Sequence, residues 1–200
     1  MWGAKTGTLG FDNLPDLTAL ENPTSNLASE IITSDHKLIG KYFLQNRTNI
    51  KYSDLSPHIV DALIATEDSR YRSHSGIDFR GLMRAIVHLG KKGGASTITQ
   101  QLAKMMFHDR KGGTWNKIKQ KLQEQIIAVE LEKRYTKNEI IAMYLNQFDF
   151  LNNAVGIESA SHVYFNKAPK DLKIQEAAML VGMAKNPSLF NPLRRVDTTL

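Results

Sequence analysis

Residues 65–76, ATEDSRYRSHSG, set Glu67 and Asp68 side by side at the end of an apolar helical pattern and follow them with Arg70, Arg72 and His74. A carboxylate in that position is either a solvated helix end or a group placed to take a proton. The last turn of a helix carries partial negative charge, so an acid there is mildly misplaced on stability grounds. Glu124 is a second candidate. At about 100° per residue it points about 160° away from the apolar stripe of its own long helix, in company with Lys117, Gln120 and Lys121. The plainer account of Glu124 is an ordinary surface ion pair with Lys121, three residues earlier. Between the two acids, GGASTITQQLAK offers backbone N–H groups at a helix start, hydroxyls on Ser96, Thr97 and Thr99, amides on Gln100 and Gln101, and a cation at Lys104. Such a set suits a phosphate. It lacks the Gly-Lys-Ser/Thr order of a P-loop, and its bland alternative is a capped helix after a glycine hinge.

These residues need helices to hold them. Ser56 and Pro57 form an N-cap and first helical residue for PHIVDALIATEDSR, in which Ile59, Leu63 and Thr66 share a side and Val60 and Ile64 widen the apolar stripe. Glu67 then falls in the last turn. Asp78 caps FRGLMRAIVHLGK, and the glycines of KKGGAS break the chain before Ser96 starts TITQQLAKMMF. From Thr114 to Tyr135, the spacing of Trp115, Ile118, Leu122, Ile126 and Val129 predicts a long helix, with Ile127, Ala128 and Leu131 making its opposite face apolar too. A helix apolar nearly all round belongs in the middle of a domain. Thr136 and Glu139 form a capping box for EIIAMYLNQF, and two more helices are expected around GIESASHVYF and IQEAAMLVGMA. Residues 1–26 read as an extended, irregular arm and 29–45 as a β-hairpin. The segment from His88 to Ala95 is expected to be mobile, since its glycines and lysines lack an apolar anchor.

At 200 residues, 42% of them apolar, the chain can build one well-cored domain. There is no cysteine, which removes disulfides and thiolate metal sites. A net charge of +6 favours anionic partners. No basic helix is interleaved with stacking aromatics, which argues against nucleic acid. Apolar runs such as AAMLVGMA fall far short of the roughly 20 residues that span a bilayer. Met1 directly before WGAKTG reads as an engineered start with a membrane anchor removed upstream. The six histidines show no metal-ligand spacing, and no Ser-His-Asp set stands out.

Taken together, the stretches resemble one family. EDSRYRSHSG is similar to the E-D-x-x-F-x-x-H-x-G motif, GASTITQQ to G-x-S-T-I-T-Q-Q, QKLQE to R-K-x-x-E and KNEIIAMYLN to K-x-x-I-L-x-x-Y-L-N of peptidoglycan glycosyltransferases. The motifs occur in the family's order. These are the glycan-polymerising domains of class A penicillin-binding proteins and their monofunctional relatives; AVGIESASHVYFNK and EAAMLVGMAKNPSLFNP fit as well, and the likeness covers roughly residues 50–195. Tyr71 replaces the usual phenylalanine, Gln120 stands where an arginine is usual, and Asn116 occupies another common arginine position. Lys117 and Lys119 are available to compensate.

The resemblance implies a mainly α, lysozyme-like, two-lobed domain over residues 27–200, with its helical body at 56–195. It implies an inverting transferase that extends glycan from lipid II. Glu67 matches the general base and Glu124 the second glutamate, beside the donor pyrophosphate. Gln101, Lys104 and Lys121 match positions that contact donor phosphate or sugar, and Ser96, Thr97, Gln100 and Asp68 accompany them as substrate-side residues. Mg2+ near Glu124 is the one cofactor considered, and no organic cofactor is expected. The two carboxylates are expected to face each other across a cationic cleft, separated by something like the ~6.5–9.5 Å of inverting glycosidases. The expected partners are lipid II, the growing glycan and a membrane surface, which Met105, Met106 and Phe107 would touch unless they pack in the core. The expected location is the outer face of the cytoplasmic membrane. The family's last motif, R-x-x-x-V-L, and a transpeptidase domain would lie beyond Leu200. Two rivals share the scaffold: a lytic muramidase, and a non-catalytic lipid II-binding protein.

Overall fold

The computed structural model describes residues 29–35, 38–42, 49–87, 96–107, 114–186 and 189–192. Ser56 accepts a hydrogen bond from the His58 N–H, and Pro57 fills the first position of α1 (Pro57–Glu67). Ile59, Val60 and Leu63 bury one side of this helix, whereas Thr66, expected on that side, is exposed beside a cavity. The helices that follow are α2 (Phe79–Val87), α3 (Ile98–Phe107), α4 (Thr114–Arg134), α5 (Lys137–Gln147), α6 (Ile157–Phe165) and α7 (Ile174–Lys185). Among the described residues the protein is therefore mainly helical. Strand β1 (Ser29–Ile32) pairs antiparallel with β2 (Leu38–Tyr42). The rest of the expected hairpin, the arm 1–26 and the segment 88–95 lie outside the described residues.

Helix α1 packs on α7, and α3 lies against both α4 and α5. Their shared core holds Ile59, Leu63, Ile98, Leu102, Leu131, Ile140, Ile141 and Leu145, none more than 1% exposed. Each such side chain is worth about 1.5–3 kcal/mol of transfer free energy, enough to fix the helices that carry the polar motifs. The capping box at Thr136 and Glu139 forms as expected and starts α5. Asp78 accepts from the Gly81 N–H and so caps α2.

Helix α4 buries one of its two expected apolar faces and exposes part of the other. Leu122 and Ile126 are 46% and 38% exposed, while Glu124, Ile127, Ala128 and Leu131 are buried. The buried residues follow the i, i+3, i+4, i+7 rule, with Glu124 as its first member. The side chains of Trp115, Asn116, Lys117, Ile118 and Lys119 lie outside the described set.

A polar knot ties α1, α3 and α4 together. Asp68 accepts from the backbone N–H of Ile98, the first residue of α3, at 3.2 Å, and its carboxylate contacts His74 Nε2 at 3.0 Å. The Thr97 hydroxyl donates to the Gly76 carbonyl at 2.7 Å and accepts from the Gln100 N–H, so Thr97 rather than Ser96 caps α3. Gly76 has φ of +86°, and a Cβ there would stand 2.8 Å from the Ala128 carbonyl oxygen. Only glycine allows this approach to α4 without strain.

Candidate active site

Glu67 ends α1 where the main chain turns away through Asp68. Its Oε2 accepts from the Gln101 side-chain amide at 2.9 Å, and the Gln101 carbonyl oxygen accepts from the Tyr144 hydroxyl at 3.2 Å. Burial pushes the Tyr144 hydroxyl far above the usual tyrosine range, and the Glu67 carboxylate adds to that. Tyr144 is thus a donor at any physiological pH. Glu67 Oε1 is enclosed and has no hydrogen-bond partner among the described residues. The Glu67 residue lines a cavity of about 320 Å³, together with Arg70, Arg84 and Lys185. An enclosed carboxylate oxygen without a donor is costly unless an incoming group completes it.

Arg70 is engaged by Asp78 on the same wall. Burial pushes the Asp78 carboxyl up, but the hydrogen bonds from Arg70 and the Gly81 N–H outweigh this and hold it below the ordinary aspartate value.

Glu124 lines a second cavity, of about 630 Å³, with Ser96, Gln100, Gln101, Lys104, Met105, Lys121 and Phe148. The Lys121 ammonium donates to Glu124 Oε2 and to Ser96 Oγ, both at 2.8 Å. The ordinary ion pair is therefore present, yet it is not a surface pair. The side chain of Glu124 is 8% exposed and that of Lys121 44%, so the acid is sunk in the wall and the cation reaches toward the opening. Ser96 and Gln101 line both cavities, which places the Glu67 and Glu124 regions on either side of the start of α3.

Other members of the expected phosphate cradle have internal partners. Thr97 gives its only hydroxyl proton to Gly76, Thr99 donates to Glu132 at 2.6 Å, and the Gln100 amide, 2% exposed, reaches the Gly76 carbonyl. Asp68 is 7% exposed and serves the knot. Ser96, Lys104 and Lys121 are what this segment and α4 turn toward the larger cavity. Met105, Met106 and Phe107 are half-buried against the core, because α3 lies between α4 and α5. Tyr71 is fully buried, donates to the Lys137 carbonyl and lies 4.2 Å beneath the Lys137 ammonium. Sequence reading did not single out Tyr144, Arg84, Lys185 or Phe148. Tyr144 lay within the quoted YLN stretch, but its partner is 43 residues away and no periodicity reports that.

No three His, Cys, Asp or Glu side chains gather to hold a metal among the described residues. Among the described residues Glu124 is the one acid lining the larger cavity, and an ammonium bonds its Oε2. Mg2+ is commonly held by one or two carboxylates together with substrate phosphates, so Glu124 is the residue here that would hold it beside a diphosphate.

Residues 35–200 match the transglycosylase family. The chain is 37% identical over 185 residues to penicillin-binding protein 1A of Pseudomonas aeruginosa, covering 90% of this chain and 22% of that protein. It is 34% identical over 194 residues to penicillin-binding protein 1A of Aquifex aeolicus, covering 95% and 26%. To the Escherichia coli protein of the same name it is 37% identical over 188 residues, covering 92% and 22%. It thus spans about a quarter of the length of these relatives. The matched region contains both acids and every cavity residue named above, and by it the chain belongs to the transglycosylase family.

Proposed function

We propose that the chain is an inverting peptidoglycan glycosyltransferase that polymerises lipid II, a disaccharide-pentapeptide on undecaprenyl diphosphate, into β-1,4-linked glycan. One observation carries the reading: the Glu67 carboxylate, one oxygen of which has no partner among the described residues, lines one cavity, and a cavity lined by Lys104, Lys121 and Glu124 adjoins it. The acceptor's 4-hydroxyl gives its proton to the Glu67 carboxylate as its oxygen bonds to the donor's anomeric carbon. The bond from that carbon to the diphosphate oxygen breaks, and its electron pair leaves with the diphosphate. A sugar hydroxyl is a weak nucleophile, and a positioned base typically contributes about 10²- to 10⁴-fold. Lys104 and Lys121 receive the charge that develops on the leaving group, and Glu124 holds the Lys121 ammonium in place. Attack from the side opposite the diphosphate inverts the anomeric centre.

In this reading the domain has the lysozyme-like, two-lobed frame that the motifs imply and works at the outer face of the cytoplasmic membrane. A membrane-spanning anchor upstream and a transpeptidase domain downstream belong to the same proposal. Phe79, Met83 and Val87, 68%, 59% and 71% exposed at i, i+4 and i+8 of α2, support contact with a lipid surface. No helix among the described residues is long and apolar enough to cross a membrane. The test is incubation with labelled lipid II. Polymeric glycan with release of undecaprenyl diphosphate is expected. Cleavage of finished glycan without use of lipid II would make the protein a muramidase, and tight lipid II binding without polymer would make it a scaffold.

A further inference from the structure

We infer that Gln101 and Tyr144 are positioning residues for Glu67, acting as a donor relay that holds its carboxylate from α3 and α5. The inference rests on the proposed role of Glu67 and gives Gln101 a different task from contacting substrate.

The direction of the relay follows from its ends. Tyr144 is fully buried on α5, its hydroxyl is 3.2 Å from the Gln101 carbonyl oxygen, and burial keeps it protonated. The Glu67 carboxylate can only accept, so the Gln101 NH₂ must face its Oε2, at 2.9 Å, and the Gln101 carbonyl then turns to the Tyr144 hydroxyl, which donates to it. Rotating the amide by 180° would set its carbonyl against a carboxylate oxygen, and that contact would be repulsive. The relay therefore holds Oε2 from α3, while Oε1 is enclosed with no partner among the described residues.

The charged groups that line the same cavity as Glu67 are Asp68, Arg70, Asp78, Arg84 and Lys185, and none of them is substituted in the variants below.

The experiment compares wild type, Gln101→Met, Tyr144→Phe and Glu67→Gln in the full-length protein, with lipid II as substrate and thermal unfolding as a check on folding. Gln101→Met is expected to lower kcat about 10- to 100-fold and leave KM within about twofold. Tyr144→Phe removes a single oxygen and frees the amide to flip. A smaller fall in kcat, about 3- to 10-fold, is expected, again with KM little changed. A raised KM with unchanged kcat in Gln101→Met would make Gln101 a substrate contact and overturn the relay. If Gln101→Met does not fold, Tyr144→Phe decides alone, and wild-type kcat in that variant refutes the relay. Glu67→Gln separates the two claims. Full activity there removes the base itself, whereas its inactivity beside a normal Gln101→Met removes only the relay.

Discussion

At the scale of residues, the two acids owe their difference to what surrounds them. Glu67 has one oxygen bonded from α3 and one left without a donor; Glu124 is bonded by an ammonium that also reaches Ser96. In the proposed mechanism Lys121→Ala is expected to lower kcat/KM for lipid II by about 10- to 100-fold, because a cation is lost where the diphosphate leaves. Steady-state kinetics check this. Both acids stand out in the sequence by the motifs they sit in, and the fold sets each of them in a cavity wall. The internal use of Thr97, Thr99 and Gln100 was not legible there, since a hydroxyl offered to phosphate and one offered to a carbonyl 21 residues away look identical in sequence.

At the scale of elements, the start of α3 is the organising feature. Asp68, His74, Thr97 and Gly76 lock it to the end of α1 and to the backbone of α4. Gly76→Ala is expected to destabilise the fold by about 2–4 kcal/mol, combining positive-φ strain with overpacking on Ala128, as read by denaturant unfolding. Helix α4 gives a second prediction. Ile127→Ala should cost about 2–5 kcal/mol, whereas Ile126→Gln on the exposed side should fall within about 0.5 kcal/mol of wild type. Helix boundaries and caps were largely readable, because Ser56-Pro57, Asp78 and Thr136-x-x-Glu139 act locally. Of the two apolar faces read on α4, the one through Ile127, Ala128 and Leu131 is buried and the one through Leu122 and Ile126 is not, a choice that tertiary packing on α3 makes and periodicity does not.

At the scale of the whole molecule, ion pairs bear on the response to acid. The Thr136 backbone N–H and hydroxyl hold Glu139 below the ordinary glutamate value, and the Lys167 ammonium does the same for Glu176, as Arg70 does for Asp78 against its burial. A carboxyl whose value is depressed in the folded state adds stability that is complete above its unfolded value, about 4, and is lost as pH falls through the folded one. Unfolding midpoints should therefore be flat near neutrality and decline below about pH 4. A chain of net charge +6 with an exposed apolar side on α2 should also bind anionic vesicles more tightly than neutral ones, and Met83→Glu should weaken that binding in a sedimentation assay.

The most direct test of the account is the rate of glycan formation from lipid II by Glu67→Gln beside wild type, with lipid II binding measured on the same samples. A fall in kcat of about 10²- to 10⁴-fold with binding retained within a few-fold is predicted. Polymerisation by Glu67→Gln within twofold of wild type would contradict it.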